Sequence, residues 1–147
     1  MIDKKEMQVI AALRKNARTS LAKISKEINV SKSTVFNRIK RQEKKLIQKH
    51  TSLIDFQRLG YAARIFIAIK TNIENRKELQ QYFTEHKNIN NLFVINGGFD
   101  FFADAVFKDA KEMEDFLHEL KIKHPIKDMQ THTVIQDIKR EAFLEEI

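Results

Sequence analysis

The sequence predicts an α+β protein of two modules, and three observations carry that prediction. Positive charge is concentrated in the first fifty residues. The same segment holds three helical stretches, each opened by a capping residue. The remainder repeats itself with a period of 34 residues. Together they divide the chain into a module over residues 1–50, a linking strand or hinge over 51–60, and a second module over 61–147.

The first helix opens at Asp3, which with Glu6 makes a capping box, with Ile2 and Met7 as its hydrophobic staple. Met7, Ile10, Ala11 and Leu13 then form a helical stripe. Asn16-Ala17-Arg18 breaks it, and Thr19 or Ser20 caps a second helix carrying Leu21, Ala22, Ile24 and Ile28. Asn29-Val30 turns the chain, and Ser31 caps a third helix that directs Val35 and Ile39 inward. A short helix, a tight turn and a helix with a polar, basic first half is the helix-turn-helix arrangement, here winged-helix-like.

Residues 1–50 hold 14 Lys/Arg against 4 Asp/Glu, a net +10, whereas residues 61–147 carry −3. A basic head on a mildly acidic body points to a polyanion as the head's partner; a solvated lysine-rich surface is the other reading of charge alone. The cap-and-turn spacing favours double-stranded DNA. Ser33, Thr34, Asn37 and Arg38 are then expected near bases, while Ser31, Lys32, Lys40 and Arg41 serve mostly phosphates. A plain three-helix bundle with a charged outside is the competing reading.

In the body, Tyr61 to Ile73 alternates, with Ile65, Ile67 and Ile69 on one face. Asn75 and Glu78 read as a capping box for a helix burying Leu79, Tyr82 and Phe83. Leu92 to Ile95 is a short strand turned by Gly97-Gly98, and Phe99 to Phe107 a second alternating strand. Asp109 and Glu112 box a further helix with Met113, Phe116 and Leu117, and Met129 to Ile138 makes a fourth strand. Adding 34 carries Asn75, Glu78, Leu79, Tyr82 and Phe83 onto Asp109, Glu112, Met113, Phe116 and Leu117. A paired β-α-β-β-α-β order is ferredoxin-like. Both faces of its strands are rich in apolar residues, which predicts a second copy on the face the helices leave open. A dimer with two-fold symmetry implies near-palindromic operators.

Composition excludes other classes. An apolar fraction of 42% supplies a core, and three Gly with one Pro argue against collagen-like or linker-rich architecture. With no Cys there is no disulfide framework and no thiolate chemistry. The sequence from Met1 to Glu6 lacks a signal-peptide stretch, and the longest apolar run, Tyr61 to Ile69, is broken by Arg64. A soluble, cytoplasmic protein without a membrane partner is expected.

The five His are scattered. His118 and His124, flanking a helix end, read as a solvated pair or a surface metal site. Asp100 and Asp104 share a strand face as acid/base carboxylates would, yet a turn residue and an interface residue are simpler roles. Without P-loop or dinucleotide fingerprint, an enzyme is the weakest reading and no cofactor or metal is expected.

Seven motifs, in order, resemble the Lrp/AsnC, or feast/famine, regulators across nearly the whole chain. They are Asn16-Ala17-Arg18, Leu21-Ala22, Ser31-Lys32-Ser33-Thr34-Val35, Arg38-Ile39, Asp55 before Leu59-Gly60, Gly97-Gly98-Phe99-Asp100 and Thr131-His132-Thr133. Three departures are visible. Gln42 stands where the family has a core Leu, and the usual Gly after the recognition helix is missing, so Lys45 or Leu46 must turn the chain. Phe99 replaces a frequent Tyr.

The resemblance implies dimers that join into larger assemblies, commonly octamers. It also implies an effector site, for which amides of Gly97, Gly98 and Phe99 can hold a carboxylate and Asp100 an ammonium. Thr131 and Thr133 join that site by resemblance alone. An ordinary hairpin turn is the other reading of the same residues. The function expected is that of a sequence-specific transcriptional regulator modulated by a small molecule such as an amino acid. The alternatives are an architectural DNA-coating protein and a single-stranded RNA-binding module, which the body's negative charge disfavours.

Overall fold

The computed structural model describes residues 2–146. The chain divides into two compact units, Met1–Leu53 with Asp137–Ile147, and Ile54–Gln136. The final residues therefore group with the helical head rather than with the sheet whose last strand leads into them.

The head contains α1 (Lys4–Lys15), α2 (Leu21–Ile28) and α3 (Lys32–Glu43). Each begins where a side chain satisfies an orphan amide. Asp3 accepts from the Glu6 N–H at 2.7 Å while Glu6 accepts from the Asp3 N–H at 3.1 Å, a complete capping box. Ser20 and Ser31 cap α2 and α3. Asn29, at φ 53°, makes the left-handed turn that reverses the chain between them. Val9, Ile24, Ile28 and Val35 form the buried centre, with Ala12, Leu13, Leu21, Val30 and Ile39 packed around it.

Helix α3 ends without the missing glycine. The Gln42 carbonyl accepts from the N–H groups of Lys45, Leu46 and Ile47 at 3.1, 2.8 and 2.8 Å. None of these residues has positive φ, so the turn makes no demand that only Gly meets. The tail is clasped by Arg14 of α1, which donates to the Glu141 carbonyl at 2.8 Å, the Glu141 carboxylate at 3.2 Å and the Phe143 carbonyl at 3.0 Å.

The body runs β1 (Ala63–Thr71), a 3₁₀ turn (Ile73–Asn75), α4 (Arg76–Glu85), β2 (Ile89–Val94), β3 (Phe101–Phe107), α5 (Ala110–Lys123) and β4 (Ile126–Thr133). The sheet order is β2-β3-β1-β4, and every pair is antiparallel. Ile65, Ile67 and Ile69 of β1 and Phe101, Ala103, Ala105 and Phe107 of β3 point to one face. There Leu79 and Phe83 of α4 and Phe116 and Leu120 of α5 cover them.

Several expected boundaries move. Of residues 51–60, expected as a linking strand or hinge, 51–55 take no regular structure and 56–60 form turns. Asn75 makes no side-chain cap, because the 3₁₀ turn leads directly into α4 and leaves Asn75 helical. At α5, Asp109 caps as expected, but Glu112 reaches back to the Lys108 N–H rather than to Asp109. Strand β4 starts three residues earlier than expected and stops at Thr133. Its partner β1 begins at Ala63, and the Val134 N–H to Arg64 carbonyl bond is the last rung available. Phe99 lies in the turn before β3.

Candidate nucleic-acid interface and effector module

The candidate nucleic-acid surface is built on α3. Val35, Ile39 and Gln42 face the core, so the opposite side carries Ser33, Asn37 and Lys40 with Phe36 at its margin, while Lys32 is exposed as the first residue of the helix. At its start the Ser31 hydroxyl caps the Thr34 N–H at 3.1 Å and lies 3.0 Å from the Ser33 hydroxyl and 2.8 Å from that of Thr34. These three side chains form a local hydroxyl cluster over the helix N-terminus. Lys32 and Asn37 are exposed and have no partner among the described residues. Lys40 reaches Glu43 at 2.9 Å, and its ammonium stands 5.8 Å from the centre of the Phe36 ring.

Two expected DNA contacts are engaged elsewhere. Arg38 is largely buried, and its Nη1 donates to both oxygens of Asp3, at 2.9 and 2.8 Å. Arg41 pairs with the buried Glu6, although half of its side chain stays exposed. Arg38 is thus a strut between α3 and the cap of α1 rather than a free base-reading arm. Gln42 completes the cluster, its Nε2 donating to Glu6 at 2.9 Å. A polar residue in place of the family's core Leu therefore has a buried acceptor waiting for it.

The carboxyls respond to these partners. The Arg38 guanidinium, followed by the Glu6 N–H, holds Asp3 below its ordinary range. For Glu6 the Asp3 N–H leads, and together with Arg41 it outweighs the opposing effect of burial.

In the body, Gly97 and Gly98 sit at φ 90° and 106°, a backbone region open to glycine, and both are exposed. The Ile95 N–H to Asp100 carbonyl bond, 3.0 Å, closes the turn. The amides of Gly97, Gly98 and Phe99 donate to no acceptor among the described residues. The Asp100 carboxylate, expected to meet an ammonium, is already occupied: it accepts from the Thr71 N–H at 2.8 Å and from the Arg76 guanidinium. Its position fixes the turn against the end of β1.

Thr131 and Thr133 are exposed and pair with Ile67 and Ile65. They lie on β4, with β1 between them and the hairpin of β2 and β3. One protomer therefore does not set them directly beside the glycine turn.

On the sheet face away from the helices, Phe66 and Phe102 stack at 5.2 Å. Beside them Arg64 donates to Asp104 at 2.8 and 3.0 Å, and Asn90 and Asn91 donate to the same carboxylate at 2.8 Å each. Burial would raise the Asp104 carboxyl, but these four donors hold it below its ordinary range. Asp104 is an ion-pair residue, not half of an acid/base pair with Asp100.

Residues 2–42 match the AsnC-type helix-turn-helix domain, and residues 64–143 match the Lrp/AsnC ligand binding domain. The chain belongs to the Lrp/AsnC family. Its N-terminal module is thus the DNA-binding part of a transcriptional regulator, and its sheet module is the ligand-binding part. Among its relatives is an uncharacterised HTH-type transcriptional regulator of Pyrococcus abyssi, 27% identical over 146 residues and covering 99% of each chain.

Solved Lrp/AsnC structures share the fold. A transcriptional regulator of Neisseria meningitidis, crystallised as an L-Met complex, superposes with a TM-score of 0.87 at 19% identity, covering 95% of this chain and 94% of its own. Escherichia coli AsnC gives a TM-score of 0.83 at 19% identity, covering 95% and 96%. No helix of the described residues is long and apolar enough to cross a membrane.

Proposed function

We propose that this Lrp/AsnC protein is a sequence-specific regulator that enters the DNA major groove with α3 and is modulated by an amino acid. The observation that carries the reading is the outward face of α3, where Lys32, Ser33 and Asn37 offer donors beside a hydroxyl-capped helix start. Asn37 and Ser33 suit base edges. Lys32, Lys40 and the exposed part of Arg41 suit phosphates.

For the effector, the free amides of Gly97, Gly98 and Phe99 suit a carboxylate, and Asp100 with Arg76 holds their loop in shape. The L-Met complex of the Neisseria regulator favours an amino acid as ligand. Because β1 separates Thr131 and Thr133 from the turn within one protomer, their part in the site requires a neighbouring copy. The Phe66–Phe102 face favours a homodimer, and such dimers joining into octamers supply the neighbour. Operation in the cytoplasm, with no catalytic reaction, follows from the same reading.

Operator selection on the full chain, repeated with and without each of the twenty amino acids, tests both halves. A preferred near-palindrome whose affinity shifts with one amino acid is the expected result. Equal binding to all competitor duplexes would instead identify an architectural coating protein.

A further inference from the structure

Phe36 is the one large apolar side chain on the outward half of α3. Phe36 is 47% exposed, whereas neighbouring Val35 is fully buried and closes the head's core without it. At about 100° per residue, Phe36 projects about 60° from Ser33 and about 40° from Lys32 and Lys40, on the half of the helix opposite Gln42. The Lys40 ammonium stands over the ring, and no other ring contacts it among the described residues. Leaving a phenyl ring in water costs hydration free energy that the isolated head does not recover.

The floor of the major groove displays one apolar group, the C5-methyl of thymine. We infer that Phe36 reads that methyl, packing its ring against one thymine of the operator and supplying a preference that Ser33 and Asn37 do not. The inference rests on the major-groove reading of α3. It adds a shape-and-burial contact to what is otherwise a hydrogen-bonding surface.

Replacing thymidine by deoxyuridine removes that methyl and leaves every hydrogen-bonding group in place. The full chain is titrated against its selected operator with each thymine exchanged singly for uracil. One exchange should weaken the native chain about fourfold, the value of burying one methyl-sized group. Phe36→Ala should bind the thymine and uracil duplexes alike at that position. Phe36→Leu, which keeps an apolar side chain, and Asn37→Ala should both still discriminate.

If Phe36→Ala discriminates as the native chain does, or if no exchange affects the native chain, Phe36 is not a reader. A native chain that binds every duplex equally overturns the regulator reading and this contact together. Sequence preference without methyl sensitivity overturns the contact alone.

Discussion

Nη1 of Arg38 donates to both carboxylate oxygens of Asp3, 35 residues away, so α3 is fastened to the residue that caps the first helix. One carboxylate thus both starts α1 and anchors α3. The orientation of the outward face of α3 therefore depends on this contact within the head.

Asp3→Ala should therefore lower the melting temperature by several degrees, through loss of both the cap and the strut. Arg38→Ala should lower it too, and the double variant should lose less than the sum of the two. Thermal unfolding followed by circular dichroism checks this; strictly additive losses would mean that the pair does not couple the helices.

The phosphate-side and base-side roles proposed for α3 separate by salt. Lys32→Ala should weaken all duplexes alike and reduce the salt slope by about one. Asn37→Ala should cost about 1–3 kcal/mol on the selected operator, with relaxed preference at one position. Titrations at several salt concentrations distinguish them.

Acid should loosen the head. Asp3 and Glu6 are held below their ordinary values of 3.8 and 4.5 in the folded chain, so the unfolded chain takes up protons first as pH falls. Their contribution is complete above about pH 4.5 and is lost below it, as pH drops through the lowered folded values. Asp3→Asn/Glu6→Gln should flatten the decline of melting temperature between pH 5 and pH 3, on the order of the carboxylate range itself. An unchanged slope would remove these two groups from the acid response.

On the sheet, Arg64→Met strands the Asp104 carboxylate without its counter-charge and should cost about 3–5 kcal/mol. Arg64→Met with Asp104→Leu should recover most of that loss. Urea unfolding of the two variants measures the difference.

Calorimetry against the twenty amino acids tests the body's ligand site. Gly98→Val forces a branched side chain into positive φ and should weaken effector binding at least about tenfold while α4, α5 and the sheet stay folded. Unchanged affinity in that variant would move the site elsewhere.

What the sequence makes legible here is local. Asp3, Ser20, Ser31 and Asp109 cap because the amides they satisfy lie three residues on, within the span that a sequence pattern describes. The buried stripe of Ile65, Ile67 and Ile69 is readable for the same reason. Arg38 and Arg41 look like free cations on their helix, because their partners stand 35 residues earlier. The end of β4 is set by where β1 begins, a property of the partner strand. Phe36 is invisible to a reading that counts apolar residues as core, since only the packed head shows that Val35 has already filled that place.

The Arg14 clasp has a consequence for how the molecule is made. Its partner Glu141 follows 127 residues later, so during synthesis at about 5–20 residues per second the tail arrives roughly 6–25 s after α1. The three helices of the head pack through contacts among themselves and need not wait for it. For those seconds the nascent head lives untailed, with the Arg14 guanidinium open to solvent or to any passing phosphate. The head's three helices are thus made well before the residues that clasp Arg14.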